Sequence, residues 1–144
     1  MPSARDLAIL EDLPPVKIWG ESLDDIGALK SFRGKFVVTD DGKFFAKLYP
    51  ATEWDGIEFF HDMLVRELGV KGAESIDVKE VIVGGGKIDL DLQAGSVKCR
   101  LHGKSTVYGD YDPFALDTDA IAIEIQEAFD LGDTPVDVVT DYEQ

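Results

Sequence analysis

KFVVTDDGKFFAKLY, residues 35–49, decides how the rest of the chain is read. Val37, Val38, Phe44 and Phe45 are β-branched or aromatic residues that suit a pleated, half-buried surface. Asp40-Asp41-Gly42 between the two runs supplies the residues of a tight turn. The stretch predicts a β-hairpin of strands 35–39 and 43–49. Pro50 stops the second strand, because it brings no N–H to a ladder. A hairpin this apolar needs further strands and a covering layer, so it sets the fold class.

Upstream, VKIW (16–19) reads as a short strand and 21–34 as a loop with one helical turn. Residues 1–15 read as a segment tied down by Leu10, Leu13 and Val16. Downstream, Ile57, Phe60, Leu64, Val65 and Leu68 recur at steps of three and four, which predicts an amphipathic helix over 55–68, with Gly69 as its C-terminal cap. VKEVIV (78–83) predicts a strand interrupted by Gly84-Gly85-Gly86. KIDLDL (87–92) alternates, with Ile88, Leu90 and Leu92 on one face and Lys87, Asp89 and Asp91 on the other. After the turn 93–96, SVKCRLHGKSTVYG (96–109) returns with Val97, Cys99 and Leu101 inward. Lys98, Arg100, His102 and Lys104 then point outward. Thr118 is placed to N-cap a helix over 119–130, with Ile121, Ile125, Ala128 and Phe129 on one stripe. PVDVVT (135–140) predicts a last strand.

The order is β-β-β-α-β-β-α-β. It predicts an α+β domain spanning 1–144, with about six strands in a mixed, mostly antiparallel sheet and two helices. The length of 144 residues suits one domain.

Charge narrows the functional classes. Twenty-nine acidic against fourteen basic residues give a net charge of −15, which argues against nucleic acid and anionic membrane as partners. Twelve of the fourteen basic residues lie between Lys30 and Lys104, so any basic pocket is built from that interval. With no charged-then-apolar leader in the first fifteen residues, the cytoplasm is the expected compartment. One cysteine and two histidines make no zinc set. Asp110, Asp112, Asp117 and Asp119 lack EF-hand spacing. Neither metal nor cofactor is expected.

Few residues remain for chemistry. His61 is either a core-edge histidine or a group that takes up a proton or a phosphoryl near neutral pH. Gly103-Lys104-Ser105-Thr106 imitates the end of a P-loop, but Lys98 stands where that loop needs its first glycine. Its hydroxyls and amides remain able to hold a phosphate. Gly84-Gly85-Gly86 reads either as a strand bulge or as a clear floor beside a ligand. The strip Lys98, Arg100, His102 and Lys104 reads as a solvated face paired with Asp89 and Asp91, or as a dock for an acidic protein. Cys99, facing inward, reads as a buried apolar residue.

In order, then, come a lysine opening a strand, His61 in an acidic and aromatic segment, Gly84-Gly85-Gly86-Lys87-Ile88, and Gly103-Lys104-Ser105-Thr106-Val107-Tyr108-Gly109. This resembles the Janus/Ocnus family, whose known enzyme is a phosphohistidine phosphatase, and the likeness of order covers nearly the whole chain. The resemblance implies that His61 is the catalytic histidine and that Lys35 binds phosphate, with Lys43 and Lys47 as alternatives for that lysine. It implies that Lys87 stands at the family's arginine. Ser105, Thr106 and Val107 fall at the phosphate-binding strand end, and Asp62 and Met63 supply amides after the histidine. The chain departs from the family by lysine for arginine at 87, and by His102 and Lys104 where tyrosines are common. The implied activity is metal-independent hydrolysis of phosphohistidine in proteins, or of small phosphoramidates, by a monomer. The alternative is a non-catalytic phosphate-binding or regulatory domain of the same family.

Overall fold

A computed structural model describes residues 4–20, 31–39, 41–52, 64, 82–93, 95–102 and 116–141. Its elements in chain order are α1 (Ala4–Glu11), β1 (Val16–Gly20), β2 (Ser31–Thr39), β3 (Phe44–Pro50), β4 (Ile82–Gln93), β5 (Ser96–His102), α2 (Thr118–Ala128) and β6 (Val136–Asp141). The six strands form one sheet in the order β1-β3-β2-β4-β5-β6. The β2–β3, β2–β4 and β4–β5 pairings are antiparallel, while β1–β3 and β5–β6 are parallel. The predicted α+β class with a mixed sheet is the observed one.

The 35–49 hairpin forms as expected. The Thr39 amide donates to the Lys43 carbonyl at 2.9 Å and the Gly42 amide to the Thr39 carbonyl at 3.0 Å. Gly42 has φ +84°, a conformation that side-chain-bearing residues resist. The second hairpin closes at Gln93↔Ser96, with Gly95 at φ +77°.

Each strand divides its residues between two faces. Phe32, Phe36, Val38, Phe44, Ala46, Leu48, Ile88, Leu90, Val97, Cys99 and Leu101 share the first face, with Ile121, Ile125 and Phe129 of α2 packed onto it. Phe32 meets Phe129 edge-on at 5.1 Å between ring centroids. Parallel neighbours need a crossover, and α2 provides the one between β5 and β6.

The second face carries Arg33, Lys35, Phe45, Lys47, Tyr49, Lys87, Asp89, Asp91, Lys98, Arg100 and His102 in the alternate positions. Its β2–β3 end is covered, since Val37 and Phe45 there are fully buried. Leu64, which falls in the predicted 55–68 helix, is helical and fully buried. The rest of that helix lies outside the described residues. No described helix is long and apolar enough to cross a membrane.

Four sequence expectations need correction. The 1–15 segment contains a helix, α1, which its charged first turn did not announce. The loop expected over 21–34 gives way earlier, at Ser31, where β2 begins, because Phe32 is drawn into the core by Phe129. The glycines at 84–86 do not interrupt a strand, since β4 runs continuously from Ile82 to Gln93. The bulge reading of those glycines is the observed one, since Val38 pairs with Gly84 but Thr39 pairs with Ile82. Finally, the cap of α2 is Asp117, not Thr118. Its carboxylate accepts the Ala120 amide at 3.0 Å, and an anion there also meets the positive end of the helix dipole.

Candidate functional site: a basic row across the sheet

Register aligns residues that the sequence scatters. Lys47 of β3 stands opposite Lys35 of β2. Lys35 stands opposite Lys87 of β4, and Lys87 opposite His102 of β5. The four share one row and one face, with Trp19 of β1 at one end and Asp141 of β6 at the other by register. Directly paired residues have Cβ atoms about 5 Å apart, so long side chains of adjacent members can reach one tetrahedral oxyanion.

Exposure varies along the row. Lys47 is only 9% exposed, Lys35 and His102 are half-buried, and Lys87 is exposed. The Lys47 ammonium lies 5.2 Å from the Tyr49 ring centroid, where the ring face offsets part of the cost of burying a cation. Burial, and after it the nearby charge of Lys87, hold the Lys35 ammonium below its ordinary pKa. An anion placed here would relieve both effects.

Two glycines bring the strands together at this row. A Cβ on Gly34 would stand 1.8 Å from the Lys47 carbonyl oxygen, and one on Gly86 would stand 1.8 Å from that of His102. Each glycine immediately precedes a lysine of the row, and each abuts the backbone of that lysine's neighbour. Gly-Lys pairs also stand at 42–43 and 103–104, so those at 34–35 and 86–87 are set apart only by strand pairing.

Acidic side chains beside the row are tied to one another's partners. Asp89 Oδ2 lies 2.8 Å from His102 Nε2 and Asp89 Oδ1 lies 3.4 Å from Arg33 Nε. Arg33 Nη1 donates to Asp91 Oδ1 at 3.2 Å and to the Phe32 carbonyl at 2.9 Å. Ser31 Oγ donates to the same Asp91 oxygen at 2.8 Å. Lys98 and Arg100 stand directly opposite Asp91 and Asp89, which fits the solvated-face reading of those two. Cys99 is fully buried and its thiol is pushed up to about 12, first by burial and then by the charge of Asp89, so it is an apolar core residue.

Of the residues expected at a phosphate site, the structure brings together Lys35 and Lys87 with Lys47, one of the two lysines named as alternatives to Lys35. Lys43 stands apart, donating to the Leu13 carbonyl at 2.8 Å and lying 3.6 Å from Asp41 at the hairpin turn. His61, Asp62, Met63, Ser105, Thr106 and Val107 lie outside the described residues. The sequence reading missed the place of His102 in the row, because strand pairing across β4 and β5 is what sets it beside Lys87. No protein-family model matches the chain, and no curated protein matches it.

Proposed function

We propose that the basic row is a binding floor for a phosphoryl group, and that the chain is a metal-independent phosphatase acting on phosphohistidine in proteins or on small phosphoramidates in the cytoplasm. One observation supports this above the others: Lys35 and Lys87, 52 positions apart in a chain of net charge −15, are cross-strand partners. Like charges directly opposite each other destabilise a sheet. A row of them suits a compact oxyanion, which is attracted to every member at once.

The chemistry asked of such a site is modest. A P–N bond with a protonated leaving nitrogen is labile, so positioning and charge stabilisation carry most of the work. Lysine ammoniums draw charge from the phosphoryl oxygens as water adds to phosphorus and the P–N electron pair leaves with nitrogen. His61, assigned by the family resemblance, takes the proton from that water or accepts the phosphoryl group itself. Ser105, Thr106 and the amides of Asp62, Met63 and Val107 complete the proposed cradle.

The test is release of phosphate from phosphohistidine and phospholysine. His61→Ala should lower the rate at least about 100-fold, the scale of lost proton-transfer catalysis, while inorganic phosphate still perturbs Lys35 and Lys87 by NMR. Chelator should leave the rate unchanged. A folded His61→Ala variant with the wild-type rate refutes the enzymatic reading. Phosphate binding without turnover in the wild type would assign a non-catalytic phosphate-binding domain.

A further inference from the structure

We infer that His102, held by Asp89, is a proton-dependent ligand of the anion bound by the row. The inference rests on the anion-binding reading above and adds a residue and a linkage to it.

Chemistry assigns the tautomer. An ionised carboxylate can only accept, so His102 Nε2, 2.8 Å from Asp89 Oδ2, carries a hydrogen. Nδ1 is therefore the nitrogen that gains or loses a proton. The carboxylate that orients the ring is itself oriented, because its other oxygen faces Arg33, which also holds Asp91. A histidine fixed through a carboxylate in this way presents its second nitrogen in a defined direction.

Charged groups surround the ring. On β4 Lys87 is its register partner and Asp89 meets it; on β5 itself Arg100 is two residues away; on β2 stand Lys35 and Arg33; and on β6 Asp141 is the register partner. A bound oxyanion beside Lys87 attracts a positive charge on Nδ1 as it attracts every cation of the row. Binding of the anion and protonation of His102 then favour each other by the same factor.

Inorganic sulfate is the suitable probe, because it stays dianionic across the neutral range and any pH dependence belongs to the protein. Calorimetric titrations of the full chain, in two buffers of different ionisation heat, measure proton uptake on binding. The His61→Gln background removes the other histidine. In that background sulfate should bind at least about fivefold more tightly at about pH 5.5 than at about pH 8, the effect of one added charge a few ångströms from the ligand. It should take up a fraction of a proton near neutrality. His102→Gln should abolish the uptake and flatten the affinity profile. Asp89→Asn, which leaves the imidazole in place, should reduce both. Circular dichroism confirms that each variant is folded. Sulfate binding whose proton uptake survives His102→Gln overturns this inference alone. No sulfate binding to the wild type at either pH overturns the anion site, and this inference with it.

Discussion

Lys35→Met separates what the fold needs from what a ligand needs. Lys35 stands opposite Lys87 across the β2–β4 ladder, and Lys87 is the like charge that acts on it after burial, so removing the Lys35 charge relieves that cross-strand pair. Such a pair costs about 0.2–1 kcal/mol before solvent screening. Because Lys35 is only half-buried and Lys87 is exposed, the lower half of that range applies, about 0.2–0.5 kcal/mol. Methionine keeps the length and apolar character of the stem. A competing effect is that the chain, already at −15, becomes more negative. At physiological salt, charges beyond about 8 Å are largely screened, so the adjacent lysine outweighs the distant acids. Lys35→Met should therefore raise stability by about 0.2–0.5 kcal/mol, or about 1–2 °C in Tm for a domain of this size. The gain should fall by half or more in about 1 M salt. The pH dependence has a definite sign. Folded Lys35 holds its proton less tightly than the unfolded chain does, so its destabilising contribution is present below its folded pKa and is removed as pH rises past the ordinary value of 10.5. The same substitution should weaken phosphate or sulfate binding at least about tenfold, the scale of one lost charge-assisted contact. Urea unfolding at low and high salt, with anion titration of the same samples, measures all of this. A variant that is less stable than wild type, or a stability gain identical in both salts, would refute the like-charge reasoning.

Three other perturbations probe the frame. Gly86→Ala places a methyl group 1.8 Å from the His102 carbonyl and 3.0 Å from the Phe36 ring, so urea unfolding should show a loss of about 3 kcal/mol or more, or no folded protein. Asp117→Ala removes the acceptor of the Ala120 amide and should cost about 1 kcal/mol, read as a lower urea midpoint with unchanged slope. Cys99 holds its proton to about pH 12 when folded and to about 9.0 when unfolded. The folded state thus binds more protons in that window, and stability should fall as pH rises through it by up to about 1.4 kcal/mol per unit. Cys99→Ala should remove that slope, and native Cys99 should resist alkylation at pH 8 until denaturant is added.

The acidity of the chain acquires a spatial meaning in this sheet. Among the described residues, most positive charge on the second face lies on β2, β3, β4 and β5, with Lys17 on β1, while β6 and α2 carry acidic residues and no lysine or arginine. On the anion-binding reading proposed above, a small anion at the row would meet an attractive patch within a repulsive surround. That arrangement favours a compact, highly charged ligand that reaches the lysines closely, since attraction at contact outlasts a field screened over about a Debye length.

Local patterns carried much of this architecture. Alternation along 87–92 and 96–102, the Asp-Asp-Gly turn, and the Ile121, Ile125, Phe129 stripe each report which side of a residue is buried, a property of spacing alone. They were enough for the α+β class, the two hairpins, the inward Cys99 and the final helix. The Ser31–Arg33 start of β2 was not legible, because packing of Phe32 on Phe129 outweighs local propensity there, and helix α1, eight residues long, is too short to announce itself. The bulge at Ile82–Gly84 was half legible: the glycines marked an irregularity, and only the pairing with Val38 and Thr39 showed that the strand continues through it. The site divides in the same way. Lys35 and Lys87 were named individually through a family likeness, and residue order can say no more than that both are present. That they are neighbours, that Lys47 joins them and Lys43 does not, and that His102 lies beside Lys87 under the hold of Asp89 were decided by strand order and register. Those depend on which strands pair and at what offset, and a free-energy minimum over the whole sheet chooses both.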